Sequence, residues 1–178
     1  CRFTGENVKL LWRNLDGSAV DAQAEVFVGQ GVDVMVAFEE PLAGVPDASF
    51  IDDPVLPWFA RNGSKPGRDT AQSWVLHAGA EWSRLEFDRP AGQVQKALLK
   101  RFSERIGRTL PRPRLSDSHR WRHARVEAPL GEVFLLDRDA GIGFCGDWCL
   151  DARVEAAFLS GDSLGTALAE SQRARALR

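Results

Sequence analysis

The stretch VDVMVAFEE, Val32 to Glu40, does most to limit what this chain can become. Its apolar residues are β-branched and alternate or run together, which suits a pleated strand rather than a helix. Pro41 closes it. Further along the period changes: Val94, Leu98, Phe102 and Ile106 recur at helical spacing with Leu99 beside them, and Gly107 stands where that helix would end. A fold that must satisfy both periods needs a sheet with a helix laid across it.

The rest of the chain reads in the same terms. Asp16-Gly17 is a hairpin dipeptide between two short strands. The G-x-G of Gly29 and Gly31 reads as a turn, since a third glycine is missing and the residues after Gly31 are strand-like. Residues 48–53 and 56–62 read as strands parted by Asp53-Pro54, and 72–78 as another. GSKPGRDTA, Gly63 to Ala71, is turn chemistry that joins antiparallel neighbours. A short helix is expected over 81–87, an extended connector over 109–115, and strands over 119–127, 132–136 and 142–145, with 138–141 as a turn. A terminal helix starts near Ala152 with Asp151 as its N-cap. Val154, Ala157, Phe158, Gly161, Leu164 and Leu168 make its apolar stripe, and Gly161 and Gly165 imply close packing against another backbone.

The expected class is therefore α+β: a mostly antiparallel sheet with a covering helix, followed by a C-terminal strand–helix. The expected divisions are an irregular segment over 1–31, a lobe over 32–127, a C-terminal part over 128–170 and a polar tail over 171–178.

Bulk properties narrow the function classes. The chain has 178 residues and a formal charge of −2, and the basic tail SQRARALR is short. That disfavours nucleic acid as the main partner, which needs a clustered positive surface. No apolar run approaches the roughly 20 residues that span a bilayer, and no signal-peptide pattern opens the chain. Three cysteines make no disulfide framework, so a reducing cytoplasm is expected. The chain begins at Cys1 without an initiator methionine, which raises the expectation of a piece of something longer. Six tryptophans and no tyrosine point to aromatic faces of the kind that hold flat ligands.

Cys145 and Cys149 draw the eye first. Their C-x3-C spacing has no second Cys/His pair to complete a zinc site, and it is not the C-x-x-C of a redox pair. His119 and His123 share a strand face about 13 Å apart, too far to chelate one ion. No metal is expected, Cys145 is read as ending a buried strand and Cys149 as packing in a loop. The stretch GDWCLDARVEAAFLSG has another reading. Gly146 and Asp147 enter a tight loop, and the helix after it points free N–H groups and a positive dipole end outward. Either a ligand sits there or Asp151 simply caps the helix.

GDWC followed by RVEAAFLSG resembles the C-terminal flavin-binding segment of the FAD-dependent amine oxidase superfamily. With WFARNGSKPGR, SWVLHAGAEWSR and HRWRHA in order, the chain looks like the bacterial renalase-like FAD oxidoreductases over roughly Val32 to Glu170. The resemblance implies an oxidase that moves hydride from an amine-like or dihydronicotinamide-type small molecule to FAD, with oxygen reoxidising the flavin to give hydrogen peroxide. It implies FAD contacts at Gly146, Asp147 and Trp148, with Asp147 near the ribityl–pyrophosphate and Arg153, Val154 and Glu155 beneath the flavin ring. Trp58, Asn62, His77 and Trp121 become candidates for the pocket wall, and Ser64, Lys65 and Arg68 for a loop that meets substrate phosphates. Each has a plainer alternative: the aromatics as core, where Trp74 and Trp82 are also expected, the loop as a solvated turn, and His77 as a satisfied buried histidine. The family's strand, G-x-G-x-x-G loop and helix, which hold the ADP half of FAD, are not in this sequence, so the missing N-terminal half becomes an expected partner. The chain also has His123 where relatives carry tyrosine, and Asp151 where a small residue is common. The competing expectation is a non-catalytic α+β binding or scaffold domain without cofactor.

Overall fold

The computed structural model describes residues 2–4, 7–13, 19–68 and 72–176, with side chains over 29–68 and 72–173. Its strands are β1 (Arg2–Thr4), β2 (Asn7–Arg13), β3 (Ala19–Phe38), β4 (Ala48–Phe50), β5 (Trp58–Arg61), β6 (Ser73–His77), β7 (Pro113–Ala128), β8 (Leu135–Asp137) and β9 (Ile142–Phe144). The α-helices are α1 (Ala80–Leu85), α2 (Ala91–Ile106), α3 (Asp147–Leu150) and α4 (Val154–Ala176). The class is α+β, and every register-defined pairing is antiparallel. The chain divides into two units, Gln30–Arg122 on one hand and Cys1–Gly29 with His123–Arg178 on the other, with boundaries inside β3 and β7.

In the unit Gln30–Arg122, β3, β6, β5 and β4 follow one another across an antiparallel sheet, and β7 pairs with β3. Alternation along β3 sends Val32, Val34, Val36 and Phe38 into the core. Trp74 and Leu76 of β6 and Phe59 of β5 join them on the same face. The predicted helical stripe closes this core: Val94, Leu98 and Phe102 of α2 are buried, and Phe102 stacks edge-on to Phe59 at 5.0 Å and tilted against Trp74 at 5.6 Å. Burying side chains of this size contributes about 1.5–3 kcal/mol each. Trp82 packs half-buried against the same cluster.

Gly107 ends α2 in the left-handed region, at φ 65° and ψ 30°. Its N–H donates to the Glu104 carbonyl and that of Arg108 to the Ser103 carbonyl, the paired bonds of a Schellman cap. Between β5 and β6 a 3-10 turn at Asn62–Ser64 leads into Lys65-Pro66-Gly67-Arg68, where the Arg68 N–H donates to the Lys65 carbonyl and Gly67 takes φ 73°. Proline then glycine in the central positions is what a type II turn requires.

Asp53 fastens the loop before β5 to α2. Its Oδ1 accepts from the Val55 and Leu56 N–H groups, and its Oδ2 accepts from Arg101 Nε at 2.7 Å and Arg105 Nε at 2.5 Å. Burial pushes this carboxyl up, but the Arg101 bond, the two backbone donors and Arg105 outweigh it and hold it well below the usual carboxylate range.

In the other unit β1, β2 and the first part of β3 pair in order, with Arg13 opposite Ala19. The Asp16-Gly17 turn lies outside the described residues, as does the end of the 63–71 turn. β8 and β9 form a short hairpin whose turn is held by Asp137 Oδ1, which accepts from the Asp139 and Ala140 N–H groups.

The fold corrects several expectations. The segment around Gly29 and Gly31 is not a turn but continuous strand, and the space a Gly29 side chain would take is filled by Glu127. β7 begins at Pro113, inside the expected connector, and β8 and β9 are shorter than expected. The tight loop after Gly146 is the helix α3, and α4 starts at Val154, so Asp151 is not its N-cap. Asp151 accepts instead from the Ala152 N–H beside it. Cys145 follows β9 and is exposed, whereas Cys149 is buried in α3. The buried face of α4 is Ala156, Ser160 and Leu164, while Val154 and Phe158 are 89% and 69% exposed. Of the expected stripe Leu164 is buried and Ala157 and Gly161 are half-buried, whereas Ala156 and Ser160 escape the hydrophobic pattern because one is small and the other polar.

Among the described residues no helix is long and apolar enough to cross a membrane.

Candidate functional site

The sheet of the Gln30–Arg122 unit has a second face. Because side chains alternate, the odd positions of β3 that flank the core valines point away from α2. Asp33 lies opposite His77 in register, and His77 opposite Trp58, so the three side chains share one face of β3, β6 and β5. Trp121 of β7 completes the row, its Nε1–H donating to Asp33 Oδ2 at 2.8 Å. The rings of His77 and Trp58 meet edge-on at 4.5 Å, and the His119 ring lies 4.1 Å from that of Trp121. His77 Nδ1 stands 3.6 Å from Asp33 Oδ1.

Three of the four expected wall residues, Trp58, His77 and Trp121, thus come together. Asn62 does not: it follows the opposite end of β5 from Trp58, roughly 13 Å along the strand direction. Ser64, Lys65 and Arg68 belong to that same end, exposed in the turn, with Ser64 Oγ donating to the Arg61 carbonyl. Neither Lys65 nor Arg68 makes an ion pair among the described residues. Trp74 is core. His77 is exposed enough to serve as a surface group rather than a buried one.

Asp33 is the residue that sequence reasoning misses. A lone acid between valines in VDVMV marks an outward position of a strand, but only the fold shows that His77 and Trp121 flank it.

The second candidate region lies in the other unit. The Gly146 N–H donates to Ser160 Oγ at 3.1 Å, and the buried Ser160 hydroxyl donates to the Val133 carbonyl at 2.6 Å. Trp148 folds its indole back over Gly146, so that a Cβ there would meet Trp148 Cδ1 at 2.7 Å. The ring also packs with Val126 and Ala152. Asp147 Oδ1 accepts from the Trp148 N–H at 2.9 Å, and Oδ2 has no hydrogen-bond partner among the described residues. Arg153, Val154 and Glu155 are all exposed, with Arg153 between Asp151 Oδ2 at 3.3 Å and Glu155 Oε2 at 3.7 Å. The first backbone N–H groups of α4 have no acceptor among the described residues, as helix geometry dictates.

Burial raises the Cys149 thiol above its ordinary range. Among the described residues no three His, Cys, Asp or Glu side chains assemble into a group that could hold a metal ion. No protein-family model matches the chain.

Proposed function

We propose that this chain supplies the substrate-facing sheet and final strand–helix of a renalase-like FAD-dependent oxidoreductase. The reaction takes hydride from an amine-like or dihydronicotinamide-type small molecule and passes the electrons to oxygen as hydrogen peroxide. One observation carries the reading: Trp58, His77 and Trp121, which belong to separate motifs, gather around Asp33 on a sheet face that turns away from the core.

The second region tests the fit to the cofactor. The exposed α4 start, with first-turn N–H groups free of described acceptors, suits a ring carbonyl, and its dipole favours negative charge on a reduced flavin. Asp147 keeps one carboxylate oxygen for a ribityl hydroxyl. Gly146 offers no cradle, since the Trp148 indole occupies the space its missing side chain leaves. When bound, FAD supplies the hydride-accepting chemistry; the protein's part is orientation, exclusion of water and charge stabilisation. Trp58 and Trp121 would cover a flat substrate, with Asp33 and His77 beneath it.

The test is to express the reading frame from its natural start. We expect a strand, G-x-G-x-x-G loop and helix ahead of Cys1, a yellow protein, bleaching by an amine or dihydronicotinamide without oxygen, and peroxide on admitting air. The 178-residue chain alone should be colourless. Asp147→Ala should loosen FAD, while Cys145→Ser and Cys149→Ser should retain it. A colourless product, or a natural start directly before Cys1, overturns the reading in favour of a scaffold domain.

A further inference from the structure

We infer that Asp33 is the anionic anchor of a binding site for a flat organic cation, on the outer sheet face between Trp58 and Trp121. Two acids of the same unit stand in contrast. Asp53, with no exposed side-chain surface, draws two arginines and two backbone N–H groups. Asp33 is only 18% exposed, yet among the described residues no Lys or Arg lies within 4.0 Å of it. Its partners are one neutral donor, the Trp121 indole, and His77 at 3.6 Å, beyond hydrogen-bond reach. A half-buried carboxylate is costly to keep without a cation.

The surroundings say which cation fits. Adjacent strands stand about 4.8 Å apart, so Trp58, His77 and Asp33 follow one another over roughly 10 Å, and Trp121 reaches Asp33 from the far side through its indole N–H. Aromatic rings flank the carboxylate on both sides, and His119 extends the series past Trp121. Indole faces attract cations through their quadrupole, most of all a desolvated planar one. A hydrated metal ion would find a single carboxylate here, and a phosphate would meet a like charge.

In one respect the inference rests on the oxidoreductase reading and deepens it. Hydride leaving a dihydronicotinamide or amine carbon takes both electrons of its C–H bond to the flavin, and the neutral substrate is left a pyridinium or iminium cation. A fixed carboxylate stabilises that charge as it develops.

The experiment uses the 178-residue chain with 1-methylnicotinamide as the cationic probe and nicotinamide as its neutral counterpart, following the indole N–H signals by NMR. We expect the cation to bind about tenfold more tightly than the neutral ring and to shift the Trp58 and Trp121 signals. Asp33→Asn retains an acceptor for Trp121, so the unliganded Trp121 signal should stay close to wild type while the preference falls to parity. Asp33→Glu should restore part of it. Equal affinity for both probes, no shift with either, or undiminished cation binding by Asp33→Asn overturns the inference. Failure is separable from that of the oxidoreductase reading: a yellow, active long form without the cation preference removes only the role of Asp33. A colourless long form with the preference removes only the flavin.

Discussion

Four donors converge on the Asp53 carboxylate, and the loop before β5 is held to α2 through them. Asp53→Asn keeps the shape but removes the charge facing Arg101 and Arg105, and should cost about 2–3 kcal/mol at neutral pH. The folded-state pKa is lowered, so this stabilisation is complete above the unfolded value near 4 and fades as pH falls below it. Thermal denaturation should show the gap between wild type and Asp53→Asn narrowing from pH 7 to pH 3. Gly146 poses a different constraint. An alanine there would push against the Trp148 indole, which is wedged against Val126 and Ala152, and overpacking of this kind costs about 1–3 kcal/mol. Urea unfolding and tryptophan emission would read both the loss and the displaced ring.

At the scale of elements, α2 is legible in the sequence and α4 only half so. Val94, Leu98 and Phe102 are large, evenly spaced and all on one side, so periodicity alone identifies the buried face. α4 carries apolar groups on two sides, and its buried side is the less hydrophobic one because Ser160 is fixed there by the Gly146 N–H and the Val133 carbonyl. Leu164→Ala should therefore cost about 2–4 kcal/mol in chemical denaturation, while Phe158→Ser should stay within about 0.5 kcal/mol. A larger loss from Phe158→Ser than from Leu164→Ala would show that the faces are exchanged. α3 separates the two cysteines in the same way. Iodoacetamide on the native chain, read by peptide mass spectrometry, should label exposed Cys145 and spare Cys149, whose thiol is buried and raised.

For the whole molecule, the residues themselves determined the class: β-branched alternation in 32–38, a one-sided helical stripe in 94–106 and turn chemistry at Lys65–Arg68 each specify local geometry through short-range sterics and burial. Gly107 marked the end of α2 for the same reason, since few other residues adopt its backbone angles. Partnership across distance was not legible. Asp33 and Trp121 are 88 residues apart and meet only because β7 pairs with β3. The glycines at 29 and 31 read as a turn because nothing local reveals that Glu127 will fill the gap beside Gly29. Sequence settles what each segment can do alone, because those preferences act within a few residues. Strand order and register settle which side chains face one another, and so the row of Trp58, His77, Asp33 and Trp121 exists only in the tertiary structure.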